Sequence, residues 1–478
     1  MEGPALTSTG GAAAVAPGGG REEPKVEVLT LATPGLGDRT YLVHDGVKAL
    51  VVDPQRDTDR LLHLAKSVGV EISCIAETHI HNDYVSGGLA LSQQLGARYL
   101  VAGADQVAFS RQPIAEGDRV DLGRMTVQAL ATPGHTQGHL AYLLLVGDRP
   151  TALFSGGSLL YGAVGRTDLI SPDLTEELAR AQYRSARRLA SLPGGLDLYP
   201  THGFGSFCAS TPPPAEEPDH SLATQQRSNP AMSDDEDEFV RTLVAGYTLY
   251  PRYYSQMAPI NQAGADPLDL GMPPEIDLAE MARRVRGREW VIDLRSRVDF
   301  GASHVAGTVN FPAGDPLATY VGWVVPWGAR LTAAATPEPV VLQARRDLGR
   351  IGIDWFSGWS GLPLGELQAH LGAGSYRVTD FQGLADALRS ADVQILDARR
   401  PDEWRQGHIP GAINIHLADL PDRLDELPDR PTWVHCGAGY RAAVAASLLD
   451  RAEREVILVD DDIARAETAG LELVREPE

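Results

Sequence analysis

Cys436 closes an apolar run, TWVH, and opens the turn CGAGYR ahead of a helix-like stretch, YRAAVAASLL. A strand-to-helix turn of this kind points successive backbone N–H groups inward, and the helix N-terminus adds partial positive charge. Arg441, the last residue of the turn, adds a full charge. Such a cradle favours thiolate over thiol and holds an anion; a thiolate there can attack a sulfane sulfur and keep it as a persulfide. A second group of residues has the types of a metal site. ETHIHNDYVSGG presents His79, His81 and Asp83 at alternate positions just after an apolar run, ATPGHTQGHLAY supplies His135, and PTHGFGS supplies His202. Imidazoles and a carboxylate carried on strand-end loops can converge on one ion.

The elements that must position these residues fall into two patterns. In the N-terminal 210 residues short apolar runs follow in quick succession (VEVLTLA, TYLVHDG, KALVVDP, ISCIAETH, ARYLVAG, MTVQALATP, AYLLLVGD, TALFSGG). Helical stretches are predicted at about 57–68, 87–96 and 174–191, a β-rich α/β arrangement of two sheets between helices. Further on, DLRSRVDFGASHVAGTVNF from Asp293 and DARRPDEWRQGHIPGAINI from Asp397 align without gaps at an offset of 104. Asp293, Arg295, Phe300, His304, Gly307 and Asn310 meet Asp397, Arg399, Trp404, His408, Gly411 and Asn414. That offset is a domain length. Strands alternate with helices in both copies, which predicts two parallel-sheet α/β domains at 270–373 and 375–475. The first copy holds no cysteine. Its run PVVLQA reads as the strand equivalent to PTWVHC and sets Gln343 or Ala344 at the nucleophile position, so this copy is expected to be a spacer or docking surface. The stretch 210–268, with the acidic run SDDEDE and Tyr247, Tyr250, Tyr253 and Tyr254, reads as a solvated linker and a bridging helix.

Composition bounds the partners. A formal charge of −22 over 478 residues argues against nucleic acid or an anionic membrane, and no apolar run is long enough to span a bilayer. The first 23 residues, rich in Gly, Ala and Pro, read as a disordered tail and not a signal peptide. Cys74, Cys208 and Cys436 lie far apart, which fits a reducing, cytoplasmic setting better than a disulfide framework.

The Cys436 turn and the signature before it resemble the active loop and N-terminal signature of rhodaneses. THIHND, TPGHTQGH, GRTDL and VVDP resemble the metallo-β-lactamase fold, within it the persulfide dioxygenases joined to rhodaneses. The resemblance implies an αββα sandwich at 24–209 followed by two rhodanese-like domains. It implies one Fe(II) per chain, with zinc or no metal as alternatives. The substrates it implies are a low-molecular-weight thiol persulfide and O2, with sulfite or thiosulfate exchanged at Cys436, and a homo-oligomer is possible. His79 and His135 would be iron ligands, Arg166 would bind a substrate carboxylate, and Cys208 would be a thiol near the mouth. The family's carboxylate ligand falls in FSGGS at Gly157, which has no side chain to coordinate with. His81 would make a three-His site, Asp83 and His202 are further candidates, and a water or an empty site are the other outcomes. Tyr84 replaces the last His of HxHxDH, which counts against a two-metal thioesterase. The expected activity is therefore persulfide oxidation coupled to sulfur transfer, the alternatives being a sulfurtransferase with a non-catalytic binding module and a thioester hydrolase.

Overall fold

Alternation along the first strands builds two buried faces at once. In the computed structural model, which describes residues 25–211, 220–232 and 235–475, Tyr41, Val43, Leu50 and Val52 point into one core while Leu42, Ala49 and Val51 point into another. The expected tail at 1–23 lies outside the described residues, as do 212–219 and 233–234 of the linker. Two compact units divide the chain: residues 1–268 with 349–352, and residues 269–348 with 353–478.

The first unit runs β1 (Glu27–Thr33), β2 (Asp38–His44), β3 (Lys48–Val52), α1 (Asp59–Val68), β4 (Glu71–Ala76), α2 (Gly88–Leu95), β5 (Arg98–Ala102), β6 (Gln112–Ile114), β7 (Arg119–Leu122), β8 (Met125–Ala131), β9 (Leu140–Val146), β10 (Arg149–Gly156), α3 (Thr175–Ala190), β11 (Asp197–Pro200), α4 (Leu222–Ser228), α5 (Glu236–Ala245) and α6 (Tyr254–Ala263). Strands β1 to β6 form one sheet in sequence order, and β11-β10-β9-β8-β7 form the other. Their facing sides share a core that includes Tyr41, Leu50, Val127, Tyr142 and Phe154. The outer face of the first sheet packs Val51 and Ile75 with Leu61 and Leu64 of α1 and Leu91 of α2. That of the second packs Leu143 and Leu153 with Ala186 and Leu189 of α3 and Phe239 and Leu243 of α5. The result is an αββα sandwich. Each fully buried Leu or Phe contributes about 1.5–3 kcal/mol.

The described part of the acidic run, 235–238, begins a helix, with Asp237 and Glu238 open to solvent. Asp235 caps α5 by accepting a hydrogen bond from the Glu238 N–H (2.9 Å), and Glu236, Asp237 and Glu238 fill the first turn. Carboxylates there complement the N-terminal end of the helix dipole.

In the second unit the strands Val309–Asn310, Trp290–Asp293, Leu331–Ala333 and Phe356–Trp359 lie side by side in one parallel sheet. Arg377–Thr379, Val456–Val459, Thr432–His435, Gln394–Asp397 and Ile413–Asn414 form another. The repeated residues do the same work in both. Arg295 forks onto Asp293 and Arg399 onto Asp397, each with Nη2 2.6 Å from Oδ2. The Asn310 and Asn414 amides each bridge the backbone carbonyls of that Asp and Arg. His304 stacks on Phe300 and His408 on Trp404, with ring centroids 3.9 and 3.7 Å apart. The shared motif is therefore a structural frame.

PVVLQA is not a strand. It lies in the helix Glu338–Arg350, where Val341, Ala344 and Leu348 recur at helical spacing on a buried face after Pro337 and Pro339. The strand equivalent to Thr432–His435 is Leu331–Ala333: Trp290 pairs with Leu331 as Gln394 pairs with Thr432. Counting along that register sets Ala335, not Gln343 or Ala344, at the place of Cys436.

Candidate metal centre and cysteine loop

The metal-type residues gather where the C-terminal ends of β3, β4, β8, β10 and β11 meet. Asp53, after β3, ties two of these loops together. Its carboxylate accepts hydrogen bonds from the Thr78 N–H (2.6 Å) and hydroxyl (2.7 Å) after β4, and from the Thr201 hydroxyl after β11. Gln182 of α3 ties the other two, accepting from the His135 N–H (2.8 Å) and donating to the Ser158 carbonyl (2.6 Å).

Three imidazoles converge. One ligand atom from each of His79, His135 and His202 lies within 4.8 Å of the others, and all three residues are buried. Each ring is held in the same tautomer by a different device. The Thr78 hydroxyl spends its proton on Asp53, so at 2.9 Å from His79 Nδ1 it accepts. His135 Nδ1 donates to the Arg166 carbonyl at 2.7 Å, and His202 Nδ1 to Asp38 at 2.9 Å. Each Nε2 is turned inward, buried and without a hydrogen-bond partner. An unpaired buried polar atom costs about 1–3 kcal/mol. Three aimed at one point fit a metal ion, with partners on the far nitrogen that fix each ring. Burial pushes His79 well below the ordinary histidine range and His135 down to about 3, the neutral form a ligand needs. Burial opposes charge on His202 too, but Asp83 and Asp38 outweigh it and raise the ring to about 9, so a metal taken up at its Nε2 displaces a proton from it.

His81 lies against His79, with ring centroids 4.1 Å apart, but its Nε2 is taken up elsewhere. Its Nε2 faces Glu77 at 3.2 Å, Asp53 at 3.3 Å and the Tyr84 hydroxyl at 3.0 Å. Burial works against its charge, yet Asp53 and Glu77 lift it to about 10. The third imidazole beside His79 and His135 is thus His202. Asp83 is buried 3.1 Å from His202 Nδ1 and is held low by it, against burial. His81, Asp83 and His202 form a second possible donor group.

Gly157 has a local reason. A Cβ built there would lie 2.3 Å from His135 Cδ2, and one at Gly165 2.6 Å from Nδ1. The His135 ring is sandwiched between two glycine backbones, in the space a side chain at 157 would take. His139, unremarked in the sequence although it ends TPGHTQGH, accepts from the Gly157 N–H (2.9 Å) and stacks on His79 at 5.0 Å. Asp38 and Thr78 carried no sequence signal beyond their place at strand ends, and Gln182, within α3, carried none.

Arg166 does not offer its guanidinium to a ligand. Nε and Nη2 grip Asp168 at 2.7 Å, Nη1 donates to Phe207 and Nη2 to Thr248, and the rings of Tyr247 and Tyr250 cover it. The expected carboxylate binder is a clamp on the tyrosine-bearing segment. Cys208 is fully buried, not at a mouth; burial first, then Asp83 and Asp38, push its thiol well above the ordinary range.

In the second unit Cys436 follows the strand Thr432–His435 and is 1% exposed. Gly439 opens the helix at φ +88°, and a Cβ there would strike Asp460 at 2.1 Å. The Ile463 N–H pins the Gly437 carbonyl at 2.9 Å. Arg441 is close but not free: its two Nη atoms reach the Glu403 oxygens at 2.5 and 2.6 Å. Burial raises Glu403, but Arg441 overrides it and holds the carboxyl down at about 2.

Known proteins match both units. A family described as rhodanese-like domain matches residues 380–467. The human mitochondrial persulfide dioxygenase ETHE1 is 30% identical over 208 residues, 43% of this chain and 75% of that protein. A hydroxyacylglutathione hydrolase of Methylobacillus flagellatus is 33% identical over 166 residues, 34% of this chain and only 61% of that protein. A metallo-beta-lactamase structure from Staphylococcus aureus subsp. aureus COL superposes with a TM-score of 0.64 at 25% identity, over 70% of this chain and 99% of that one. The chain belongs to the metallo-β-lactamase-fold family that includes the persulfide dioxygenases, and it carries a rhodanese-like domain on the same polypeptide.

Proposed function

We propose that the protein is a two-site sulfur enzyme: a persulfide dioxygenase in the first unit and a sulfurtransferase acting through Cys436 in the second. The observation that carries the first half is the set of three buried, partnerless Nε2 atoms of His79, His135 and His202. Those residues would hold one Fe(II), whose open positions supply binding and activation of O2 beside a persulfide sulfur. Asp38, Thr78 and the Arg166 carbonyl keep the three rings aimed. The net change takes a persulfide, O2 and one water to a thiol, sulfite and two protons. In the second half the Cys436 thiolate attacks the sulfane sulfur of thiosulfate. The new S–S bond leaves a cysteine persulfide, and sulfite departs with the electron pair of the broken bond. In this reading 24–209 is the metal domain, 270–373 a rhodanese-like domain without a nucleophile, and 375–475 the active one. A reducing, cytoplasmic setting suits it, since all three cysteines are free; among the described residues no helix is long and apolar enough to cross a membrane.

A thioester hydrolase is the second reading, favoured by the likeness to hydroxyacylglutathione hydrolase and by the His81, Asp83 and His202 grouping. It needs two metals, and Tyr84 spends its hydroxyl on Asp53 and His81. The experiment is anaerobic purification without chelators, metal analysis, then O2 consumption on adding glutathione persulfide. Iron near one per chain with O2 uptake and sulfite release is expected. Two zinc ions and thiol release from an acyl-thiol would replace this reading with the hydrolase. Absence of metal and of uptake would reduce the first unit to a binding module.

A further inference from the structure

The half of the second unit that lacks a cysteine contributes side chains to the Cys436 site. Its helix Leu317–Val324 carries Tyr320, whose ring stacks on Tyr440 of the cysteine loop at 4.9 Å and 26°. The Tyr440 hydroxyl donates to the Pro312 carbonyl at 2.8 Å, again in the cysteine-free half. The phenol of Tyr320 lies within electrostatic reach of Arg441, Cys436, Glu403 and Arg400, and among the described residues it makes no hydrogen bond. One turn on, Trp323 meets His416 edge-on at 4.7 Å. His416 is 5% exposed, its Nδ1 lacks a partner, and Arg441, Arg400 and Glu403 lie within its electrostatic reach. Side chains of the cysteine-free half therefore lie against the cysteine loop and His416 of the other half.

Glu403 occupies both Nη atoms of Arg441, so the strongest cation beside Cys436 is already neutralised. Beside the loop N–H groups, Tyr320 offers an anionic substrate an unspent hydrogen-bond donor.

We propose that Tyr320 is a substrate-orienting residue of the Cys436 site. Its hydroxyl donates to the oxyanion end of a small sulfur donor of the thiosulfate class, and its ring, stacked on Tyr440, keeps the sulfane sulfur aimed at the thiol. This rests on the sulfur-transfer reading of Cys436. The alternative is that Tyr320 only packs the two halves together.

Steady-state formation of thiocyanate from thiosulfate and cyanide by the full chain separates these. Tyr320→Phe keeps the stack and removes the hydroxyl. It should raise KM for thiosulfate about ten-fold, the effect of losing one hydrogen bond to a charged group, with kcat within about two-fold and KM for cyanide unchanged. Tyr320→Leu removes the stack as well and should lower kcat in addition. A wild-type KM for thiosulfate in Tyr320→Phe would overturn the inference, as would an equal loss of kcat in both variants that tracks a lower melting temperature. If the unaltered chain forms no thiocyanate, the Cys436 reading falls and takes this inference with it.

Discussion

The two halves of the second unit share a frame and differ in one turn. Both have the Asp–Arg fork, the Asn bridge and the stacked His, at the same offset. After the equivalent strands, one chain continues Cys436, Gly437, Ala438, Gly439, while the other continues Ala335, Thr336, Pro337 into the helix Glu338–Arg350. The first turn has a nucleophile and two glycines that let Arg441 and Asp460 approach within 3.0 and 2.1 Å of a Cβ position. The second has a methyl group and a proline that removes an N–H. Evidently the frame can be kept while the chemistry is lost, because the frame residues lie on strand ends and the chemistry lies in the connection that follows.

The largest expected effect tests that contrast from both sides. Cys436→Ser should cut thiocyanate formation by about a thousand-fold or more, since the hydroxyl cannot replace the thiolate nucleophile. Ala335→Cys should give no measurable activity, because a thiol there lacks the glycine turn. Turnover in Ala335→Cys would mean the frame alone is enough and would break the comparison.

How much was legible follows the same line. Eight apolar runs of the first unit and its helices α1, α2 and α3 could be read because strand alternation and helical spacing leave period-2 and period-3.6 marks. PVVLQA could not: Val-Val-Leu fits either period, and only the flanking prolines and the buried Val341–Ala344–Leu348 face separate helix from strand. His79 and His135 were readable as a pair of loop histidines. That His202 and not His81 joins them was not, since it depends on which ring finds a carboxylate at its Nδ1. Asp53 and Glu77 draw His81 away, and Asp38, 164 residues from His202, holds that ring in place. Gly157 looked like a lost ligand in the sequence; in space it is the floor under His135.

The next effect in size compares the two forks. Asp397 and Arg399 are 0% and 6% exposed in their side chains, whereas Asp293 and Arg295 are 2% and 23% exposed. Asn at either Asp keeps the shape and strands a guanidinium. Breaking a buried pair costs about 3–5 kcal/mol and less as water reaches it. Chemical denaturation should therefore show Asp397→Asn losing about 3 kcal/mol and Asp293→Asn about 2 kcal/mol or less. The reverse order would mean the two frames are not equally built.

The smallest effect belongs to a pair found only in the active half, Arg441 with Glu403. Arg441 holds the folded-state carboxyl of Glu403 below its ordinary 4.5, at about 2. A depressed acid stabilises the fold above its unfolded pKa and loses that contribution as pH falls through the folded one. The window here is about pH 4.5 down to about 2. With the Glu403 side chain 22% exposed, the contribution is about 2 kcal/mol, below what the shift alone would give. Glu403→Gln should lower stability at pH 7 by that amount and flatten its fall with pH across the window. It should also free the Arg441 guanidinium for anions and lower KM for thiosulfate. If Glu403→Gln raises that KM, Glu403 serves to shape the seat, and the anion is held by the loop N–H groups and Tyr320 without help from Arg441.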